Sequence, residues 1–296
     1  MIITGKKFSK PDMSRVINGD VALKEEPEKA EKFRLDLLLV EKYKSYNRST
    51  LQKFVESGFV KVDGEVVKKS NSKFEKDVKI ELNVPEIEKK IDKEPEVLYQ
   101  DENVIVLDKP AGLLSMAKGE YCPEKTLEDY GLLVHRLDRD TSGVVILAKN
   151  PETQTMLRKQ FQDRKTHKTY NAIVEGHPKL PEAMINLPIA RNLKHPTTFQ
   201  VDPKGKEAKT FYRVLKQNDR FSLLELKPES GRTHQLRVHL RYLNTPIFGD
   251  PVYGTGKKAP RLFLHAKKLE ITIPGNPENK RMIFESKLPT EFEDVL

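Results

Sequence analysis

The stretch His135-Arg136-Leu137-Asp138-Arg139-Asp140-Thr141-Ser142-Gly143 is followed at once by an apolar run, residues 144–148. Two arginines and two aspartates therefore occupy a tight polar turn that leads into a segment typical of a buried strand. Such a turn can hold a carboxylate against a guanidinium at the edge of a core, as an active site requires. A purely structural, salt-bridged turn would use the same residues. This stretch alone favours the two interpretations equally, and the rest of the sequence decides between them.

Length and charge narrow the class of protein. The chain of 296 residues is long enough for one large domain or two unequal ones. It carries 53 Lys and Arg against 44 Asp and Glu, a formal net charge of +9. This excess favours a polyanionic partner such as nucleic acid, although most of these charges simply keep the surface solvated.

Cysteine content and hydropathy indicate the compartment. Cys122 is the only cysteine, so neither an intramolecular disulfide nor a cysteine-based zinc cluster can form. The first ten residues lack the apolar core of a signal peptide, and no apolar run approaches the ~20 residues of a membrane helix. We therefore expect a cytoplasmic protein that has no membrane partner.

Residues 33–84 have the pattern of a small α+β unit. Apolar residues between Leu35 and Val40 predict a short buried helix, and residues 48–57 predict a second that ends at Gly58. The alternation around Asp63-Gly64 predicts a hairpin, and residues 78–82 predict a closing strand.

This unit resembles the small RNA-binding module of the S-four type. The resemblance rests on Arg34-Leu35-Asp36, on Arg48-Ser49 and on Gly58-Phe59-Val60-Lys61-Val62-Asp63-Gly64, where Asp63 replaces the usual Asn. It implies an RNA-binding surface, for which Arg34, Arg48 and Lys53 are candidates. Taken singly, each of these cations is better explained as a solvated surface charge.

Composition then divides the chain into four parts. Residues 1–31 are a charged extension, 32–85 the small module, 86–95 a charged linker that ends in Pro, and 96–296 a larger domain.

Within the larger domain, periodicity predicts strands alternating with two helices. Asn150-Pro151 should start a helix whose apolar face is Met156, Leu157 and Phe161, and Thr233 should cap another in which Leu236, Leu240 and Leu243 share a face. Residues 176–209 are predicted to form a long loop or a hairpin arm. The predicted strands are residues 97–99, 104–107, 144–148, 168–174, 221–226, 262–266 and 269–273.

Several familiar sites are excluded. The sequence has no Walker loop, no Gly-Xaa-Ser-Xaa-Gly motif and no Rossmann fingerprint, and His234 and His239 do not have zincin spacing. We therefore expect no cofactor and no metal. What remains is a set of Asp, Tyr and Arg residues at strand ends, which can supply a nucleophile, a proton donor or a stacking surface.

Three motifs in order carry a second, closer resemblance. His135-Arg136-Leu137-Asp138 with Thr141-Ser142-Gly143, then Lys168-Thr169-Tyr170, then Gly231-Arg232-Thr233-His234-Gln235-Leu236-Arg237-Val238-His239 look like the signature motifs of the RluA-type pseudouridine synthases. Pro246-Ile247-Phe248-Gly249-Asp250 and Tyr253-Gly254 match the same family. The resemblance covers residue 96 to the end.

The resemblance implies a reaction and assigns its catalytic residues. A uridine within RNA loses its glycosidic bond, and the uracil turns and is rejoined through carbon five. Asp138 matches the catalytic aspartate, which attacks either the uracil or the ribose, whereas Asp140 supports the turn. Tyr170 matches the tyrosine that stacks on the base and is a candidate for proton transfer at carbon five; without the resemblance, a buried strand tyrosine would be the better explanation. Arg232 matches the arginine that pairs with the catalytic carboxylate.

The remaining matches concern substrate binding. Arg136 matches the residue that enters the RNA stack as the uridine leaves it, and Leu236 matches an apolar residue of the pocket, where helix packing is an equal explanation. For His135 a structural hydrogen bond is favoured over a catalytic role.

Together these observations predict an α+β protein. It would combine a small S-four-type RNA-binding module with a pseudouridine synthase catalytic domain, whose mixed, largely antiparallel sheet is flanked by helices. We expect a monomeric, cofactor-independent enzyme that modifies uridines of large-subunit ribosomal RNA. The alternatives are a transfer-RNA target or a non-catalytic RNA-binding ribosome-assembly factor.

Overall fold

The computed structural model of the chain describes residues 31–84, 93–117, 124–275 and 281–296. Most of the predicted extension and linker, residues 1–30 and 85–92, therefore lies outside the described residues. The chain divides into two compact units. One contains Leu51–Asn83 and the described residues up to Tyr43, and the other contains Lys44–Thr50 and Val84–Leu296.

The small unit combines short helices with two small sheets. β1 pairs with β4, and β2 lies between β3 and β5. Asp63 and Gly64 have φ values of 51° and 85°, so the predicted hairpin turn has two left-handed residues and matches the twist of its strands. Its elements are β1 (Phe33–Arg34), α1 (Leu35–Lys42), α2 (Arg48–Glu56), β2 (Val60–Val62), β3 (Glu65–Val66), β4 (Lys73–Phe74) and β5 (Ile80–Leu82).

Both predicted helices of this unit are confirmed. In α2 the apolar face of Leu51, Phe54 and Val55 is fully buried, and Gly58, at φ 79°, ends the helix. α1 is less buried than its sequence suggests, because Leu37 and Val40 are exposed. A continuous apolar run on so short a helix exceeds the surface that a small core can cover.

The larger unit is built on a ten-stranded sheet. The strand order is β11-β14-β15-β10-β16-β9-β7-β6, with β8 paired to β9 and β17 paired to β16. Among the described strand pairs of this sheet, only β9 and β16 run parallel, so the predicted mixed, largely antiparallel sheet is confirmed. Its strands are β6 (Glu96–Gln100), β7 (Val104–Lys109), β8 (Leu132–Leu133), β9 (Ser142–Ala148), β10 (His167–Glu175), β11 (Glu182–Asn186), β12 (Ile189–Arg191), β13 (Phe199–Val201), β14 (Lys209–Gln217), β15 (Phe221–Pro228), β16 (Leu264–Ile271) and β17 (Met282–Glu285).

Three helices accompany the sheet, α3 (Pro151–Gln162), α4 (Gln235–Tyr242) and α5 (Glu291–Val295). The Asn150 side chain caps α3 by accepting the Thr153 N–H at 2.9 Å, as predicted. Leu157 is fully buried on its inner face, but Met156 is exposed, so the predicted apolar face is narrower than expected. None of the helices in the described ranges is both long and apolar enough to cross a bilayer.

Burial on both faces explains the apolar run that follows the opening turn. Val144, Ile146 and Ala148 of β9 pack into one core cluster, and Val145 and Leu147 pack into another. A strand covered on both sides has no solvent face, so its sequence does not alternate.

The remaining differences from the sequence prediction lie in the second half of the chain. Residues 176–209 contain a separate hairpin of β12 and β13, which agrees with the predicted hairpin arm, and they also contain β11 of the main sheet, which was not predicted. The two segments predicted at residues 262–266 and 269–273 form one strand, β16, and the strands β14 and β17 were not predicted. The half-exposed β14 is interrupted by Lys and Arg, and β17 has only four residues, so both lack the extended apolar alternation on which a strand prediction depends.

Candidate active site

A cleft of about 500 Å³ in the larger unit gathers the three motifs of the sequence. The predicted residues Arg136, Asp138, Tyr170, Arg232 and Leu236 all line it. They come from the turn before β9, from β10, and from the loop and helix that follow β15. Residues far apart in sequence therefore share one concave surface at strand ends, where ligand sites commonly form.

A buried lysine anchors the turn that contains Asp138 through hydrogen bonds to backbone carbonyl oxygens. Lys109, the last residue of β7, is fully buried, and its Nζ donates to the carbonyl oxygens of Pro110, Arg139 and Thr141 at 3.0, 2.8 and 2.8 Å. Burial lowers the pKa of this amine to about 7. Three acceptors match the three protons of an ammonium group, so the protonated form ties the turn to the sheet.

Two further features give the turn its shape. Ser115 Oγ donates to the Leu137 carbonyl at 2.6 Å and accepts the Leu137 N–H at 3.1 Å, which fixes the backbone next to Asp138. Gly143 has φ 110°, and a Cβ there would lie 2.2 Å from the Ala266 carbonyl oxygen. Only glycine permits β9 to approach β16 this closely at the end of the turn.

The Asp138 carboxylate is held at one oxygen. Arg237 Nη1 donates to Oδ2 at 3.2 Å, and His234 Nε2 lies 3.9 Å from the same atom. Within the described ranges no hydrogen bond reaches Oδ1, and the side chain remains 21% exposed. Asp138 is thus oriented through Oδ2, while its Oδ1 has no hydrogen-bond partner among the described residues.

Arg237 is itself anchored by a second, buried aspartate. Its Nε and Nη2 donate to the two oxygens of Asp250 at 2.7 and 2.8 Å, and Asp250 is completely buried. Burial opposes the charge on Arg237, but its bonds to Asp250 and then to Asp138 outweigh burial and raise its pKa. A bidentate pair of this kind fixes the guanidinium plane that Asp138 meets.

The prediction that Arg232 pairs with the catalytic carboxylate is wrong. Arg232 lies before α4 and donates its Nε to the Glu207 carbonyl oxygen at 3.1 Å, whereas Arg237 on the first turn of α4 makes the ion pair. The predicted Thr233 cap is also absent, since the residue preceding α4 is His234. The helix starts one residue later than predicted, and the arginine that faces Asp138 is the second one in the motif. An arginine directly beside the apolar pair Leu236 and Leu240 is the signal that could have identified it.

Tyr170 enters the cleft where strand pairing is irregular. The register between β10 and β16 shifts between Thr169 and Tyr170. Such a bulge re-aims the following side chain, here toward the cleft that Asp138 lines. Burial, and then the charge of Asp138, raise the pKa of the Tyr170 phenol, so it is neutral in the free enzyme.

The other predicted residues of the cleft are Arg136, Leu236 and His135. Arg136 is exposed and Leu236 is buried at the wall. His135 Nε2 accepts the Ile146 N–H at 3.2 Å and its ring stacks on Phe161, with centroids 4.4 Å apart. Burial, and then Lys168, lower the pKa of His135 to about 3. The structural hydrogen bond predicted for His135 is confirmed.

Lys168 is a residue of the cleft that sequence reasoning did not single out. It lines the same cleft, and burial lowers its pKa. No carboxylate forms an ion pair with it within the parts of the chain that the structure describes, so its charge is available to an anionic ligand.

The three RNA-binding candidates of the small unit differ among themselves. Arg34 makes a bidentate contact with the buried Asp36, at 3.0 and 2.9 Å, so its guanidinium is engaged within the fold. Arg48 and Lys53 are exposed on α2, and Lys53 lies opposite its apolar face.

Comparison with known proteins agrees with this geometry. The family model for RNA pseudouridylate synthase matches residues 103–242, and the S4 domain model matches residues 33–80. An uncharacterized RNA pseudouridine synthase of Aquifex aeolicus is 38% identical over 76% of this chain and 78% of the relative. The ribosomal large subunit pseudouridine synthase D of Borreliella burgdorferi is 38% identical over 88% of this chain and 87% of the relative.

A solved structure shows the same relationship. The human RNA pseudouridylate synthase domain containing 4 superposes with a TM-score of 0.55 at 26% identity, covering 67% of this chain and 90% of the human one. The chain belongs to the RluA-type family of RNA pseudouridine synthases and carries an amino-terminal S4 domain.

Proposed function

We propose that this enzyme converts specific uridines of large-subunit ribosomal RNA to pseudouridine, with Asp138 as its nucleophile. The observation that carries the proposal is the Asp138 carboxylate, held through Oδ2 by Arg237 and open at Oδ1 in a cleft that Tyr170 also lines. The relative from Borreliella burgdorferi, which aligns over most of this chain, supports the ribosomal target. Transfer RNA is the alternative target.

The reaction is an isomerisation and requires no net oxidant or reductant. The bond between uracil N1 and ribose C1′ breaks, and a bond between C5 and C1′ forms. The proton on C5 is lost to a base, and N1 gains a proton, so the atoms balance. Asp138 can begin this sequence by attacking either the ribose or the uracil, and its open oxygen suits both routes.

Tyr170 is best suited to hold the base. A phenol whose pKa is raised by burial and by Asp138 stays protonated, so it offers an aromatic face and a donor. To accept the C5 proton it would first have to ionise beside a carboxylate, which the same two effects oppose. We therefore assign Tyr170 chiefly to stacking on the target uracil.

Arg136 is placed to replace the extruded base. It is exposed at the cleft, two residues before the nucleophile. An arginine in this position can fill the gap that a flipped nucleotide leaves in the RNA stack. Arg136→Ala should reduce activity more than RNA affinity, and equal losses in turnover assays and binding titrations would contradict this role.

The S4 domain supplies the sequence-independent part of RNA binding in this proposal. We assign it to residues 32–85 and the catalytic domain to residues 96–296, with Arg48 and Lys53 as phosphate contacts. Binding should then weaken steeply as salt increases. We further propose a monomeric enzyme, and a ribosomal RNA target together with a lone cysteine supports a cytoplasmic location.

Mapping of pseudouridines tests the target. Ribosomal and transfer RNA from a strain that lacks this gene would be compared with RNA from the same strain carrying the wild-type gene or Asp138→Asn. We expect one or more large-subunit positions to lose pseudouridine and to regain it only with the wild-type gene. A loss confined to transfer RNA would establish the alternative target, and unchanged maps in both RNAs would refute the proposal.

A further inference from the structure

His234 occupies a left-handed backbone conformation, which is uncommon for a residue that carries a side chain. It precedes α4 with φ 56° and ψ 19°, in the left-handed region, and makes no side-chain cap to the helix. Glycine or asparagine adopts this conformation at lower cost than histidine. A strained residue beside an active site indicates that its side chain contributes something that the easier residues cannot.

A chain of hydrogen bonds determines which ring nitrogen of His234 carries the proton. The Phe199 N–H donates to Tyr253 Oη at 2.8 Å, and Tyr253 Oη lies 2.8 Å from His234 Nδ1. With its oxygen accepting from the backbone, the phenol has His234 Nδ1 as the one acceptor for its own proton among the described residues. Nδ1 is then the acceptor, and in the neutral ring the proton must sit on Nε2.

Tyr253 is held in place independently of His234. Its N–H donates to Asp250 Oδ1 at 2.9 Å, and the Arg237 guanidinium lies over its ring, 5.1 Å from the centroid. The same Asp250 and Arg237 that fix the catalytic carboxylate therefore fix the phenol. Its direction toward His234 does not depend on the histidine.

The protonated nitrogen of His234 faces the catalytic carboxylate. Nε2 is 3.9 Å from Asp138 Oδ2, the oxygen that also accepts from Arg237. That distance exceeds a formed hydrogen bond, and contacts of this kind shorten when substrate closes the site. With Arg237 bonded to Oδ2 and His234 Nε2 nearest to that same oxygen, Oδ1 is the oxygen left for attack.

We propose that His234 is a positioning residue for Asp138, and that Tyr253 with the Phe199 backbone holds its ring in the tautomer that directs Nε2–H to the carboxylate. The inference rests on the proposed role of Asp138 as nucleophile. Burial lowers the pKa of His234 while the charge of Asp138 opposes this, and the lowered pKa is consistent with a neutral ring. Phe199 begins β13, so the hairpin of β12 and β13 supports the active site through this chain of bonds.

The first test reads the tautomer directly. Histidine labelled with ¹⁵N would be introduced into the full-length protein, and the His234 signals identified by their absence in His234→Asn. We expect the proton on Nε2 in the wild-type protein and a mixture of tautomers in Tyr253→Phe. A proton on Nδ1 in the wild-type protein would overturn the inference whatever the activity.

The second test separates positioning from packing. Tyr253→Phe keeps the ring and should lower kcat about tenfold with little change in KM, as expected for a misplaced catalytic group. Tyr212→Phe is the matched control, because that buried tyrosine donates to the Leu180 carbonyl and lies outside the cleft lining. Equal kcat for Tyr253→Phe and the wild-type enzyme would refute the proposed chain.

Two substitutions of His234 distinguish a positioning side chain from a purely conformational role, because the two explanations predict opposite orders of activity. Gln places an amide N–H near the position of Nε2, whereas Asn does not reach it but suits the left-handed backbone better. We expect His234→Gln to retain more activity than His234→Asn. The reverse order would show that only the backbone conformation matters. Asp138→Asn, assayed in parallel, tests the nucleophile separately, since its full activity would refute the proposed function and leave the tautomer result unaffected.

Discussion

Asp36 in the small unit and Asp138 in the large one are both aspartates held by an arginine. They differ in burial and in how many hydrogen bonds their carboxylate oxygens accept. Asp36 is completely buried and accepts two bonds from Arg34 and one from Gln52. Asp138 is partly exposed and accepts one bond from Arg237, on one oxygen. A saturated carboxylate stabilises a fold, whereas one with an open oxygen can react.

The same contrast holds within the active site. Asp250 accepts two bonds from Arg237 and also the N–H groups of Val252 and Tyr253, so it resembles Asp36. Arg237 thus bridges a saturated carboxylate and an unsaturated one. Buried ion pairs with ideal geometry orient groups more than they add stability, and that orientation is their use here.

The largest effect should come from Asp138→Asn. Loss of the nucleophile should lower tritium release from RNA labelled at uracil carbon five by about 10³-fold or more. The unfolding free energy should change by less than about 1 kcal/mol, because the side chain is partly exposed and makes one hydrogen bond. Activity above about a tenth of wild type would show that Asp138 is a structural carboxylate, like Asp36 and Asp250, and not the nucleophile.

Arg237→Met should damage both activity and folding. Asp250 would be left buried without its partner, at a cost of about 3–5 kcal/mol in the unfolding free energy measured with denaturant. Arg232→Met is the matched control and should cost no more than about 1 kcal/mol, since Arg232 makes a single bond to a backbone carbonyl. Similar losses for the two variants would contradict the assignment of the ion pair to Arg237.

Asp36→Asn should lower the stability of the small unit and leave turnover nearly unchanged, the opposite of Asp138→Asn. The small unit should lose about 1–3 kcal/mol of unfolding free energy, because a charged pair is replaced by an amide that cannot accept all its bonds. Turnover at saturating RNA should stay within about twofold of wild type. Asp77→Asn, at an exposed position of the same unit, is the control. A thousandfold loss of turnover in Asp36→Asn would break the distinction between the two aspartates.

Lys168→Met should have the smallest effect of these substitutions, a modest loss of RNA affinity. Lys168 forms no ion pair with a carboxylate of the described residues. If Lys168 contacts an RNA phosphate, affinity should fall by about 1 kcal/mol, and the slope of log affinity against log salt should flatten by about 0.7–0.9. Lys159→Met, on the exposed surface of α3, should change the slope less. Weaker binding with an unchanged slope would point to an uncharged part of the nucleotide.

The sequence alone determined the features that depend on neighbouring residues. The Asp63-Gly64 turn, the Asn150-Pro151 helix start and the doubly buried β9 follow from local backbone preferences and local hydrophobicity. The three motifs also identified the family and the cleft that they line. These signals act over a few residues, so they survive without knowledge of the fold.

Tertiary structure alone decided which groups meet. Asp138 and Arg237 are 99 residues apart, and the start of α4 at Gln235 turned Arg237, in place of Arg232, toward the carboxylate. The bulge that aims Tyr170 and the bonds that link Phe199, Tyr253 and His234 likewise join distant segments. A local pattern sets the conformation of each segment, but the pairing of side chains across a core depends on packing, which no single segment contains.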